Sequence, residues 1–217
     1  MIEAVIFDMD GLLIDSEPLW QRARIDAVGG PEILRWTDAD QKSVQGGSTR
    51  NWAEILCAKL DYTVTLDEVI DRVLTHMESY YGESVPLLPG ARGAVEGLRG
   101  HVRLALASGS PYRLIRAVLH AAGWDGVFEE IMSTDDLAHG KPHPEIYQLV
   151  AARLGLPTER TAVVEDSGNG ILAGHAAGAK VIAVPSEYSM PPADVLHKAN
   201  LVLRSLHELT PEAVARL

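Results

Sequence analysis

The sequence predicts a doubly wound, Rossmann-like α/β core with an α-helical cap domain inserted after its first strand. Three observations predict it. Short apolar runs without polar alternation each end in small or acidic residues, as strands covered on both faces of a parallel sheet do. Helical stretches with clear punctuation lie between those runs. One long segment, about Asp15 to Val85, carries helix signals only.

The strands are expected at Ala4–Phe7, Val102–Ala107, Thr161–Val164 and Val181–Val184, with Leu201–Leu203 as a short last candidate. The helices between them are Ala91–Arg99, Pro111–Ala122, Pro144–Leu154 and Gly170–Ala177. Ser110 stands before Pro111, and Gly123, Gly155 and Gly178 follow the last turns. In the inserted segment Ser16-Glu17-Pro18 opens a helix that stops at Gly29-Gly30. Ser48 can cap a helix carrying Trp52, Ile55, Leu56 and Leu60, and Thr65-x-x-Glu68 is a capping box ahead of Val69, Ile70 and Val73. A helical block of this length is a domain rather than a loop. The core is therefore expected over residues 1–14 and 87–217 and the cap over 15–86, with the two crossings forming a hinge.

With 217 residues, 47% apolar and 23% charged, the chain has the balance of a globular protein. No apolar run approaches the roughly 18–20 residues that cross a bilayer. The start shows neither a basic region nor a small-residue cleavage site, so a signal peptide is not expected. Cys57 is the single cysteine, which excludes an internal disulfide and a cysteine metal cage and fits a cytoplasmic setting. A net charge of −11 without a basic stripe argues against nucleic acid as partner. A monomer acting on a small molecule is the expectation.

The chemistry-bearing residues fall at the carboxyl ends of the expected strands, the edge where open parallel sheets bind ligands. Asp8 and Asp10 are two apart in extended chain, so both carboxylates point one way, about 7 Å apart. Such a pair is costly unless a cation or proton offsets it. A calcium loop with Gly11 at its turn would need Ile6 as first ligand, and isoleucine has no oxygen to offer. Ser108-Gly109-Ser110 precedes a helix start and can present a hydroxyl and backbone N–H groups to an anion. Lys141 is pinned between Gly140 and Pro142. His143 beside it has no evident acid partner and reads as structural. Glu165 and Asp166 end an apolar run and could simply cap the next helix. Combined with Asp8 and Asp10 they form an all-oxygen donor set without His or Cys, which favours Mg²⁺.

In order and approximate spacing, Asp8-x-Asp10, Ser108, Lys141 and Glu165-Asp166 resemble the four motifs of the haloacid dehalogenase superfamily, and the helical insert looks like its small α-helical cap. The stretch Phe7 to Trp20, with Leu87-Leu88-Pro89-Gly90 and Lys141-Pro142-His143-Pro144, is more similar still to the bacterial sugar phosphatases that act on hexitol phosphates and 2-deoxyglucose 6-phosphate. About Gly29 to Thr65 the match is poor. The resemblance implies a phosphatase in which Asp8 attacks phosphorus, Asp10 moves the proton, and Ser108, the Gly109 N–H and Lys141 hold phosphate oxygens. It also implies that Asp8, the carbonyl of Asp10 and Asp166 hold Mg²⁺, with Glu165 in or next to its shell. Asp10 disfavours dehalogenase and phosphonoacetaldehyde hydrolase chemistry. The β-phosphoglucomutases use a cap histidine where this chain has Trp20, which disfavours a mutase. A non-catalytic sugar-phosphate binder would have little use for both aspartates. Trp20, which can equally pack between cap helices, and Arg50, in the Gly46–Arg50 loop, are the cap side chains expected to meet substrate.

Overall fold

The computed structural model describes residues 1–30, 36–44, 49–61, 63–185 and 190–217. The chain divides into two compact units, Met1–Asp15 with Pro86–Leu217, and Ser16–Val85.

The larger unit is built on a six-stranded parallel sheet: β1 (Ala4–Phe7), β2 (Arg103–Ser108), β3 (Glu130–Ser133), β4 (Thr161–Glu165), β5 (Lys180–Ala183) and β6 (Leu201–Val202). Its order is β3-β2-β1-β4-β5-β6, so the chain winds outward first on one side of β1 and then on the other. The switch point lies between β1 and β4, with Phe7 level with Leu106 and Val164. Every residue of β1 and β4 is buried, which explains their unbroken apolar character. On one face Ala4, Ile6, Ala105 and Val163 pack with Ile146, Tyr147 and Val150. Elsewhere Phe7 meets the edge of Phe128, which in turn meets Trp124. Fully burying a side chain such as Ile6 or Phe7 contributes roughly 1.5–3 kcal/mol.

Among the described residues the helices of the smaller unit are α1 (Glu17–Asp26), α2 (Asp38–Val44), α3 (Thr49–Lys59) and α4 (Leu66–Glu83). Those of the larger unit are α5 (Ala91–Leu98), α6 (Tyr112–Ala121), α7 (Glu145–Arg153), α8 (Gly168–Ala176), α9 (Ala193–Leu196) and α10 (Pro211–Val214). The capping box of α4 is formed: Thr65 Oγ1 accepts from Glu68 N, and the Glu68 carboxylate accepts from Thr65 N. In the smaller unit Tyr80 of α4 donates to Asp26 of α1 at 2.5 Å, which also accepts from Arg22. Ser16 stands at the cap position of α1 without a side-chain cap bond. Ser48, expected as the cap of α3, lies outside the described residues. Among the described residues no helix is long and apolar enough to cross a membrane.

The strand expectations hold to within a residue or two, with one omission: β3 was not expected. It is a four-residue edge strand whose first two residues, Glu130 and Ile131, are only half-buried. Its composition therefore lacks the continuous apolar run that marks β1 and β4.

Candidate active site

The strand pairing of β1 runs one residue beyond its end, because Asp8 N donates to Val164 O at 3.0 Å. This places the Asp8 side chain beside the tip of β4, where Glu165 and Asp166 emerge. After Asp8 the chain turns at once: Leu13 N and Ile14 N both donate to Met9 O, and Gly11 N to Ile14 O. Gly11 makes the turn with φ +81°, and a Cβ there would lie 2.5 Å from Asp166 Oδ2. Backbone conformation and the closeness of an acid thus demand glycine for separate reasons.

Lys141 binds this group together. Its Nζ donates to Asp8 Oδ1 at 2.6 Å, to Glu165 Oε1 at 2.6 Å and to the carbonyl of Ala107 at 3.1 Å. All three of its protons are thereby directed. Glu165 is fully buried and also accepts from Tyr147 Oη at 2.5 Å, while its Oε2 accepts from Ser167 Oγ at 3.0 Å. Burial works against the charge of Lys141, but Asp8 and Glu165 outweigh it and hold the ammonium well above its ordinary range. Burial and the neighbouring Glu165 push the Tyr147 phenol well up, so it remains a donor. Burial likewise pushes the Asp8 carboxyl well above the usual carboxylate range; Lys141 opposes this, and Glu165 and Asp166 reinforce it.

Asp8, Glu165 and Asp166 are all buried and each offers an oxygen within 4.8 Å of the others. Three buried carboxyl groups so close together repel one another when ionised, and a hard divalent cation relieves that repulsion. The donor set fits Mg²⁺.

The carboxylate of Asp10 does not join that group. Its Oδ2 accepts from Ser108 Oγ at 3.0 Å and from Ser110 Oγ at 2.8 Å. Its carbonyl is the atom expected to face a cation, so this placement leaves that expectation intact. Ser110 N donates to Ser108 Oγ, and Ser133 Oγ donates to Ser110 O. Gly109 between them is exposed. Ser110, which stands before Pro111, does not cap α6: the cap position is Pro111, and the Ser110 hydroxyl donates to Asp10. At α8 the capping oxygen is that of Ser167, which accepts from Gly170 N, and not that of Asp166.

The cap candidates lie in the smaller unit. Trp20 is half-buried, its ring 6.0 Å from that of Trp52, with the Arg24 guanidinium 5.6 Å above it. Arg24 is itself buried, and burial lowers its pKa to about 10 against the pull of Glu17. Arg50 is exposed and pairs with Glu54 one turn on at 2.8 Å. The Gly46–Ser48 part of its loop lies outside the described residues.

Residues 2–178 match the profile of a family described as haloacid dehalogenase-like hydrolase. The chain belongs to that family. Hexitol phosphatase B of Escherichia coli O157:H7 is 37% identical to this hydrolase, the match covering 96% of the chain and 95% of the relative. A phosphorylated carbohydrates phosphatase of Thermotoga maritima is 34% identical over 82% of each. Among solved structures, CbbY from Rhodobacter sphaeroides in complex with phosphate superposes with a TM-score of 0.82 at 26% identity, covering 96% of both chains. This hydrolase is a phosphatase.

Four residues at the site were not singled out for chemistry in the sequence: Ser110, Tyr147, Ser167 and Gly170. The last is the most sharply constrained. A Cβ on Gly170 would fall 1.8–2.0 Å from three carboxylate atoms of Glu165. Gly170→Ala should displace Glu165 from Lys141 and Tyr147, lower the melting temperature by an amount equivalent to about 1–3 kcal/mol, and cut turnover more than about tenfold. Gly93→Ala in α5, where a Cβ meets nothing within 4 Å, is the control and should be neutral or stabilising by up to about 1 kcal/mol.

The raised Asp8 carboxyl has a consequence for stability. A carboxyl whose folded-state pKa is raised contributes stability that is whole below its ordinary value of 3.8 and is lost as pH rises through the folded value. In chelator, that contribution should fall away on going from acid to neutral pH. A cation favours the ionised carboxylate and reverses the preference. Any rise in melting temperature on adding Mg²⁺ should therefore grow as pH rises from the ordinary carboxylate value of 3.8 through the raised folded-state value. It should be much smaller in Asp8→Asn. A pH-independent rise, equal in both proteins, contradicts this assignment.

Proposed function

We propose that this chain is a Mg²⁺-dependent phosphate-monoester hydrolase that acts on a small sugar phosphate or sugar-alcohol phosphate through an aspartyl-phosphate on Asp8. The observation that carries the reading is the separation of the two aspartates. Asp8 lies among buried charges against Lys141, whereas Asp10, two residues on, is held by two hydroxyls away from those charges. A nucleophile and a proton carrier need such different surroundings.

Asp8 attacks phosphorus, the ester bond to the sugar oxygen breaks, and Asp10 gives its proton to the departing alkoxide. Asp10 then takes a proton from water as that water attacks the aspartyl-phosphate; phosphate leaves and Asp8 is regenerated. Lys141, already on Asp8 Oδ1, stands beside the oxygens of the transferring group, and Ser108 and the Gly109 N–H complete their hold. Asp8, Asp166 and the Asp10 carbonyl would hold Mg²⁺, with Glu165 beside them, and the ion would supply charge neutralisation on the phosphoryl oxygens. Residues 15–86 act as the cap domain, and Trp20 and Arg50 are the side chains assigned to choice of the alcohol.

The names of the relatives support carbohydrate phosphates as the substrate class. The test is phosphate release from hexitol phosphates, hexose phosphates and nucleotides, with Mg²⁺ and with chelator. Release confined to Mg²⁺ and strongest on carbohydrate phosphates is expected. Equal release in chelator, or preference for nucleotides, overturns the reading. Conversion of β-glucose 1-phosphate to the 6-phosphate would instead show a mutase.

A further inference from the structure

Asp10 must give up a proton and later retrieve one, and its two oxygens are not equivalent. Oδ2 accepts two hydrogen bonds, from Ser108 Oγ and Ser110 Oγ. Oδ1 is buried and has no hydrogen-bond partner among the described residues. An oxygen already accepting two O–H donors acts as the carbonyl oxygen of a carboxylic acid, so an added proton sits on the other oxygen.

The two serines are themselves fixed. Ser108 Oγ accepts from Ser110 N at 2.9 Å, which directs its own proton toward Asp10. Ser110 is buried, and its carbonyl is gripped by Ser133 Oγ at 2.7 Å from the tip of β3. Ser108 has a competing duty as an expected phosphate ligand, and once it turns to a phosphate oxygen the hydroxyl left on Oδ2 is that of Ser110.

We infer that Ser110 is a positioning residue for proton transfer: its hydroxyl ties down Oδ2 of Asp10 and leaves Oδ1 as the oxygen that exchanges the proton with the leaving alcohol and the attacking water. The inference rests on the role proposed for Asp10, and its test separates the two. An alkyl phosphate needs a proton on its leaving oxygen, whereas p-nitrophenolate departs without one. Ser110→Ala and the near-isosteric Ser110→Cys, a weak donor, should therefore lose turnover of the best sugar phosphate about 10- to 100-fold, with little change in KM. The pre-steady-state release of p-nitrophenolate from p-nitrophenyl phosphate should lose at least about tenfold less. Equal losses on both substrates, or a rise in KM that accounts for the loss, would place Ser110 in phosphate binding or in the fold and overturn the inference. Full activity of both variants on the sugar phosphate overturns it too. If Asp10→Asn retains sugar-phosphate turnover, the reading of Asp10 itself is what fails.

Discussion

Asp8→Asn should abolish phosphate release while leaving the fold intact. Asparagine matches aspartate in shape but is no nucleophile toward phosphorus, and removal of a covalent nucleophile elsewhere costs about 10⁶ in kcat. The stability effect should run the other way. Asp8 is a buried carboxyl pushed up by desolvation and by Glu165 and Asp166, so its charge is a burden on the metal-free protein at neutral pH. In chelator the variant should melt at or above the temperature of the wild type, and Lys141 keeps Glu165 as counter-charge. A variant that loses activity because it unfolds would show the opposite. Phosphate release and thermal melts on the same preparation decide between these outcomes, and residual turnover above about 10⁻³ of the wild type would argue that another group attacks phosphorus.

Lys141→Met should lose both activity and stability. The lysine bonds both Asp8 and Glu165 at 2.6 Å, and its side chain is only 11% exposed between two buried carboxyl groups. Removing one partner of a buried pair strands the other, at about 3–5 kcal/mol. For a chain of this length that corresponds to a fall in melting temperature of about 10 °C. Turnover should fall about 10³-fold, because the charge that faces the transferring phosphoryl group is gone. The causes can be separated. Adding Glu165→Gln to Lys141→Met removes one of the two stranded charges, that of the fully buried Glu165, and should recover part of the melting temperature but none of the turnover. If stability is not recovered, the lysine holds the loop by packing, as its approach to the Tyr147 ring at 5.2 Å would allow, rather than by charge.

How much of this could be read from the sequence differs by residue, for physical reasons. β1 and β4 are buried on both faces, so their composition announces them and the acids at their ends. Lys141 was marked by the glycine and proline that flank it. β3, at the sheet edge and half-exposed, has no such composition. Tyr147 occupies an apolar position of α7 among Ile146 and Val150, and only the folded chain shows its hydroxyl meeting Glu165. Ser110 stands before a proline at a helix start, where a serine ordinarily serves the backbone; that it serves Asp10 instead depends on β1 and β2 being neighbours. Gly170 reads as one of several glycines near a helix start until the carboxylate against its Cα is placed. Arg50 is the converse case: a lone cation in sequence, it turns out to pair with Glu54 on its own helix.

The proposed division of labour is that Asp8 carries the phosphoryl group and Asp10 carries the proton. It is tested most directly by stopped-flow measurement of Asp10→Asn with p-nitrophenyl phosphate and Mg²⁺, followed by acid quench and peptide mass spectrometry. The leaving group needs no proton, but hydrolysis of the phospho-enzyme still needs a base. The expected result is a burst of about one equivalent of p-nitrophenolate, a slow steady state, and a phosphoryl group on the peptide that contains Asp8. Absence of a burst with steady turnover equal to the wild type, or a phosphoryl group on any other residue, would contradict it.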